Sequence, residues 1–248
     1  MTDKPLVVLT GAAGGIGSAV AAKLRASGYE VCATDLSGEN VLTADLTTEA
    51  GLADLESEIQ ARISAGSKLT GLVNVAGILH PGKLLDLQLE QWEQMQSVNS
   101  RSVFRITQLV ARLMINQQSE DPQNTRGIVT VSSNAGRTPR YGLGGYCASK
   151  AASTMLTRCF SLELAAHGIR ANVLSPGSTR TAMLASMNGE AEMIKKSVAG
   201  DPERFRNGIP LGRIADPEDI ADSVEFLLSP KAKHLTGVEL TADGGATI

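Results

Sequence analysis

The segment TGAAGGIG, Thr10 to Gly17, constrains this chain more than any other stretch. It follows the β-branched apolar run LVVLT (Leu6 to Thr10), and it opens a stretch where Ile16, Ala19, Val20 and Leu24 recur at helical spacing. Gly28 stands where a helix C-terminal glycine belongs. A strand, a glycine turn and a helix in that order expose a helix N-terminus, with free N–H groups and positive partial charge. Gly11, Gly15 and Gly17, with Ile16 among them, let backbone approach a pyrophosphate. A glycine cluster by itself would be a tight turn; the strand–turn–helix setting favours dinucleotide binding.

The alternation continues along the chain. EVCATD (Glu30 to Asp35) and VLTAD (Val41 to Asp45) are predicted strands, followed by a polar helix over Glu49 to Ser64. GLVNVAG (Gly71 to Gly77) is the fourth strand, and a long helix is expected from Leu89 to Asn116. The polar segment Gln117 to Gly127, with Pro122, is a surface loop, because the pattern resumes at once with IVTVSS (Ile128 to Ser133). Ala148, Ala151, Ala152, Met155, Cys159 and Leu162 mark the next helix, and ANVLSP (Ala171 to Pro176) the sixth strand. Asp216-Pro217 caps and opens a helix carrying Ile220, Ala221, Val224, Leu227 and Leu228, and GVELTADGG (Gly237 to Gly245) closes the sheet. The strands are near-continuous apolar runs, as a sheet covered on both faces requires. Strand–helix alternation with right-handed crossovers predicts an α/β fold: one domain over residues 1–248, a doubly wound parallel sheet of about seven strands with helices on both faces.

Two further features carry chemistry. Asp35 ends the second strand, 18 residues after Gly17, where a carboxylate can accept both adenosine ribose hydroxyls and repel a 2′-phosphate. The alternative is an ordinary strand-end turn residue. No Arg or Lys lies between Thr34 and Asn40, which favours NAD over NADP. Tyr146 and Lys150 lie at i, i+4 on a predicted helix and share a face. A tyrosine is a poor base at neutral pH; a neighbouring ammonium and a cationic nicotinamide ring would stabilise its phenolate. Ser133, 13 residues earlier at a strand end, could bind the substrate oxygen.

Composition excludes other classes. The chain has 42% hydrophobic and 20% charged residues, near the globular mean, so neither disorder nor a disulfide scaffold is expected. A net charge of −3 argues against a nucleic-acid binder. Cys32, Cys147 and Cys159 form no C-x-x-C pair, and His80, His167 and His234 are scattered, so no metal site is expected. No run approaches a signal core or a membrane span, which makes the cytoplasm the expected compartment.

These motifs together resemble the short-chain dehydrogenase/reductase family over nearly the whole chain. TGAAGGIG is similar to its T-G-x-x-x-G-x-G, and Asp45-Leu46 falls where the family contacts adenine. Asn74-Val75-Ala76-Gly77 resembles its N-N-A-G, with Val75 departing from the second Asn. Asn99, Ser133, Tyr146 and Lys150 match the catalytic tetrad, Asn99 as the residue supporting a proton-relay water near the lysine. Pro176-Gly177-Ser178-Thr179-Arg180-Thr181 matches the segment that lies against the nicotinamide. The resemblance implies a Rossmann fold, an NAD-dependent oxidoreductase acting on a secondary alcohol, and a homotetramer packed through the helices around Leu89 to Asn116 and Tyr146 to His167. The resemblance also puts Asn74, Ala76, Gly77, Pro176, Gly177, Thr179 and Thr181 at the cofactor, beside Gly11, Gly15, Ile16, Gly17, Asp35, Asp45, Leu46, Tyr146 and Lys150.

AGIL (Ala76 to Leu79), TPR (Thr138 to Arg140), SPGSTRTAM (Ser175 to Met183) and GIPLGRIADPEDIA (Gly208 to Ala221) resemble the branch of the family that dehydrogenates dihydrodiol carboxylates. That implies oxidation of a cyclohexadiene diol carboxylate to 2,3-dihydroxybenzoate in siderophore biosynthesis. A carboxylate substrate needs a cation, and Arg140 lies in the loop between Ser133 and Tyr146; a solvated loop arginine or a subunit contact is the plainer alternative. Residues 182–207 are the expected substrate lid, with Met183, Met187 and Met193, and with its charges, Arg204 and Arg206 included, on solvated helix faces. Met183 joins Ser133, Arg140 and Tyr146 as a substrate contact. The competing expectations are another cyclic hydroxy acid, a sugar alcohol or a 3-hydroxyacyl substrate, and a non-catalytic dinucleotide sensor, which would be expected to lack Tyr146 or Lys150.

Overall fold

Seven strands form one sheet in the order β3-β2-β1-β4-β5-β6-β7, every pair parallel. They are β1 (Pro5–Thr10), β2 (Glu30–Asp35), β3 (Leu42–Thr43), β4 (Lys68–Asn74), β5 (Arg126–Val131), β6 (Ile169–Pro176) and β7 (Glu239–Ala242). The structure is a computed structural model that describes residues 4–117, 126–185 and 190–248. Its helices are α1 (Gly15–Ala26), α2 (Glu49–Ser64), α3 (Leu89–Gln96), α4 (Ser102–Asn116), α5 (Gly144–Leu164), the short α6 (Ala182–Ala185), α7 (Glu190–Ala199) and α8 (Pro217–Leu228).

The apolar strands feed two cores, one on each face of the sheet. Leu6 and Val8 of β1 pack with Leu55 and Ile59 of α2 and Ile106, Val110 and Met114 of α4. Val7 and Leu9 point the other way, onto Val20 and Leu24 of α1 and Ile220, Val224 and Leu227 of α8. Side chains alternate across a strand, so a run apolar at every position demands cover on both faces.

Two buried arginines tie helix ends into this frame. Arg170 on β6 donates to Leu227 and Leu228 carbonyls at 2.8 and 3.0 Å, among the last of α8. Arg126 on β5 donates to the Met114 carbonyl near the end of α4 and to His167. A cation at a helix C-terminus answers both the orphan carbonyls and the dipole. At its other end α8 begins at Pro217, and the Asp219 carboxylate accepts the Asp216 N–H at 2.9 Å.

Several boundaries differ from the sequence reading. β4 ends at Asn74, so Val75 to Gly77 form a loop; β5 runs earlier, over Arg126–Val131; β3 keeps only two residues, and β7 four. The long helix from Leu89 to Asn116 is interrupted by a π-helical turn, Ser97–Arg101, that carries Asn99. Most of the expected loop, residues 118–125, lies outside the described residues, as does Met187. On α5 the apolar residues that mark the helix face outward, Met155 and Leu162 being exposed, while Ser149, Lys150, Ser153, Thr154 and Thr157 face the sheet.

Replacing Arg170 by Met strips two carbonyls of charge-assisted partners. The expected outcome is a loss of about 2–4 kcal/mol of stability, seen as a lower denaturant midpoint with an unchanged m-value.

Candidate active site

The order of the sheet reverses at β1: the chain winds outward to β2 and β3, then returns to place β4 on the other side. Loops at the carboxyl ends of strands diverge at such a switch point and leave a crevice. A cavity of about 530 Å³ opens there, walled by Ile16 after β1, Gly77 after β4, Ser133 after β5 and Thr181 after β6. A larger hollow of about 1010 Å³ is a shallow groove on the outer face of α3 to α5, lined by Trp92, Phe104 and Met155; it holds none of the candidate catalytic residues.

The glycine turn is built for close approach. Gly11 has φ +66°, and a Cβ on it would stand 2.6 Å from the Ala76 nitrogen. A Cβ on Gly17 would stand 1.9 Å from the Gly11 carbonyl oxygen, so α1 can begin against its own turn only with glycine there. No side chain caps α1, which leaves its first N–H groups open to an anion. Gly15 lies against Thr181, where a Cβ would reach the threonine Cγ2 at 3.0 Å. The Thr10 hydroxyl accepts the N–H groups of Val75 (3.1 Å) and Ala76 (3.3 Å). It thereby holds the loop after β4 against the turn through backbone groups, which is why Val75 can stand where an asparagine is expected.

Asp35 closes this end. Its carboxylate accepts the Ala13 N–H at 2.9 Å and the Leu36 N–H at 2.7 Å. Asp45 is close by, since the Ala44 N–H bonds the Asp35 carbonyl. Hydrogen bonds from Thr47 hold the Asp45 carboxyl below the usual carboxylate range. Two residues expected at the cofactor point elsewhere. The Leu46 side chain sits in the core beneath α2, and the Asn74 amide is buried against Thr107 and Thr130. Pro176 ends β6, and Gly177 is pressed so closely to Asp243 that a Cβ would stand 2.6 Å from that residue's Cβ. Thr179 and Thr181 turn the chain through hydroxyl bonds to the Gly177 and Thr179 carbonyls.

Asn99, Ser133, Tyr146 and Lys150 converge. Ser133 caps the turn after β5 by accepting the Ala135 N–H at 3.1 Å, and it lines the same cavity as the Tyr146 phenol. Tyr146 is only 9% exposed, and burial pushes its phenol up to about 12, against a partial lowering by Ser133. The Lys150 Nζ lies 5.9 Å from the Tyr146 ring centroid and donates to the Val131 carbonyl at 3.1 Å. Burial brings its ammonium down to about 8. In the chain alone burial is the largest influence on the phenol and holds it above the ordinary tyrosine range. Asn99 is buried on the π-helical turn. Its amide is engaged with both the N–H and the C=O of Ile78, at 2.8 and 2.9 Å, and with Ser149 at 2.9 Å. It braces the loop after β4 against α5, with Gly77 between it and Lys150.

Arg140 lines the cavity half-buried, while Arg137 is exposed outside it. Met183 lines it from α6. Arg206 also lines it, where the sequence reading had a solvated face. Among the described residues no group of side chains could hold a metal ion, and no helix is long and apolar enough to cross a membrane.

A family model described as enoyl-(acyl carrier protein) reductase matches residues 11–247. The chain is 38% identical to 2,3-dihydro-2,3-dihydroxybenzoate dehydrogenase of Bacillus subtilis, over 98% of this chain and 96% of that one. It is 40% identical to the vibriobactin-specific 2,3-dihydro-2,3-dihydroxybenzoate dehydrogenase of Vibrio cholerae, over 98% and 95%. The crystal structure of 3-ketoacyl-(acyl-carrier-protein) reductase from Brucella melitensis, complexed with NADH, superposes with a TM-score of 0.83 at 28% identity over 98% of each chain.

Lys150 offers a check on this electrostatics. Its pKa is lower folded than unfolded, so holding its charge costs stability below about pH 8, and the cost fades as pH rises toward 10.5. Replacing Lys150 by Met is expected to raise Tm at pH 7 by roughly 3–8 °C while abolishing turnover. Thermal unfolding at pH 7 and pH 9.5 should find the gain shrinking at the higher pH.

Proposed function

Since the chain belongs to the short-chain dehydrogenase/reductase family and is a dehydrogenase of CH–OH donors using a nicotinamide cofactor, we propose that it oxidises a cyclohexadiene diol carboxylate, 2,3-dihydro-2,3-dihydroxybenzoate, with NAD. The observation that carries this reading is the convergence of Ser133, Tyr146 and Lys150 on the wall of one cavity that also presents Arg140. The glycine turn fits the cofactor: an uncapped helix N-terminus and glycines that no Cβ could replace leave room and donors for a pyrophosphate. Asp35 then favours NAD, because a 2′-phosphate would meet its carboxylate.

In the proposed reaction the Tyr146 phenolate takes the proton of the substrate hydroxyl. Ser133 donates a hydrogen bond to the substrate oxygen as charge develops on it. The nicotinamide, when bound, accepts the hydride released from the carbinol carbon. Lys150 supplies a fixed positive charge that favours the phenolate, and it is held by the Val131 carbonyl. Asn99 keeps the loop after β4 in place and is a positioning residue. Because burial alone sets the phenol near 12, base strength at neutral pH depends on further positive charge entering the cavity. The ketone formed from a cyclohexadiene diol tautomerises to a catechol, and aromatisation drives the oxidation.

The whole chain acts as one domain, with residues 182–207 as its lid. The apolar groove on α3 to α5, with Trp92, Phe104 and Met155 open to solvent, is the surface on which further copies assemble into a tetramer. Relatives of the same scaffold that take other cyclic hydroxy acids, sugar alcohols or 3-hydroxyacyl substrates are the competing reading.

A panel of these substrates, followed by absorbance of the reduced cofactor, tests the proposal. The dihydrodiol carboxylate with NAD should have the highest kcat/KM, and Tyr146→Phe should lower its kcat by about 10²–10⁴. A higher kcat/KM for a sugar alcohol or a 3-hydroxyacyl thioester, or for NADP over NAD, would overturn it.

A further inference from the structure

Arg206 stands in the lid, and among the described carboxylates Asp201 acts on it through space without forming an ion pair. Its Nη2 donates to two neutral hydroxyls, Ser178 at 2.7 Å and Ser197 at 3.4 Å. Its Nε is buried without a hydrogen-bond partner. Among the described residues no carboxylate forms an ion pair with it; the nearby Asp201 is 3.7 Å from Arg204. Arg140 lines the same cavity from the loop between β5 and α5, and the two guanidiniums repel one another. Burial pushes both below the ordinary arginine range.

Such an arrangement is costly in the free protein. A guanidinium withdrawn from water needs an anion, and a second one beside it raises that need. Stability alone would be served by a carboxylate from the chain. The cavity instead brings Lys83, Arg140, Lys150 and Arg206 to its wall, while its wall carboxylate Asp201 is ion-paired with Arg204. The Nε edge of Arg206 is the donor left over, and arginine forks match the planar geometry of a carboxylate.

We propose that Arg206 is a specificity-determining residue that clamps the carboxylate of the substrate together with Arg140, one arginine from the lid and one from the loop after Ser133. The proposal rests on the cavity being the substrate site of a dehydrogenase, and it deepens that reading by naming the class: cyclic hydroxy acids that carry a carboxylate on the lid side of the reacting carbon. The anion relieves the repulsion between the two arginines.

The test compares the 2,3-dihydrodiol carboxylate with the cyclohexadiene diol lacking the carboxyl group. For Arg206→Gln, the ratio of kcat/KM for the acid to that for the neutral diol is expected to fall about 10- to 100-fold, mainly through KM. Arg206→Lys should recover part of the loss. With Arg140→Gln added, the combined loss should be less than the product of the two single losses, since both act on one group. An unchanged ratio, or an equal fall for both diols, would overturn the proposal. If the unaltered enzyme oxidises neither diol, the substrate assignment fails separately, and titration calorimetry with benzoate and benzamide decides the clamp. Benzoate should bind more tightly than benzamide and lose at least tenfold in Arg206→Gln. Equal binding of the two, or no change in the variant, would contradict it.

Discussion

Tyr146 and Lys150 share a space from which water is nearly excluded, and the chemistry of the site follows from that. Burial penalises whichever form of a group is charged, so it raises the phenol and lowers the ammonium at once. In the chain alone the pair is biased toward a neutral phenol. Positive charge arriving in the cavity shifts that balance toward phenolate, and a site that excludes water magnifies the shift. In the proposed reaction, base strength is thereby coupled to occupancy by the oxidised cofactor.

The fold produces this burial by unusual means. A helix against a sheet ordinarily presents apolar side chains, yet α5 turns serines, threonines and Lys150 inward and leaves Met155 and Leu162 outside. The inward hydroxyls satisfy one another and nearby backbone: Ser132 meets Thr154 at 2.8 Å and the Lys150 carbonyl at 3.0 Å, and Thr157 meets Thr130 at 2.8 Å. A polar interface whose groups are all paired can be rigid without being apolar. The π-helical turn before α4 delivers the Asn99 amide to Ile78, fixing the loop that carries Gly77 beside the Lys150 ammonium. The outward apolar face is the consequence, and it accounts for the apolar groove on α3 to α5.

Local features were legible in the sequence, and features set by long-range packing were not. The glycine turn, the cap of α8 and the Tyr146–Lys150 spacing depend on residues within one or two turns of each other, so pattern alone exposes them. Every strand was found, but the ends of β4 and β5 slid by two or three residues; past β4 the apolar Val75 and Ala76 continue beyond the last ladder pair. The π-helical turn left no mark in the hydrophobic period. Asn74 and Leu46 were expected at the crevice from motif position, yet their side chains turn into the interior, which only contacts with Thr107, Thr130 and α2 reveal. Arg206 was read as solvated because its neighbours in sequence are charged. Its proximity to Ser178 and Arg140, from distant parts of the chain, decides otherwise, and no spacing rule could have found it.

The coupling between base strength and cofactor can be measured at the phenol itself. Enzyme labelled with ¹³C at tyrosine Cζ, with Tyr29 and Tyr141 replaced by Phe, reports the Tyr146 pKa by NMR titration. Without cofactor the pKa should lie above that of free tyrosine, near the value of about 12 set by burial. Saturating oxidised NAD should bring it down by several pH units, toward neutrality. A pKa that NAD leaves unmoved would contradict the account.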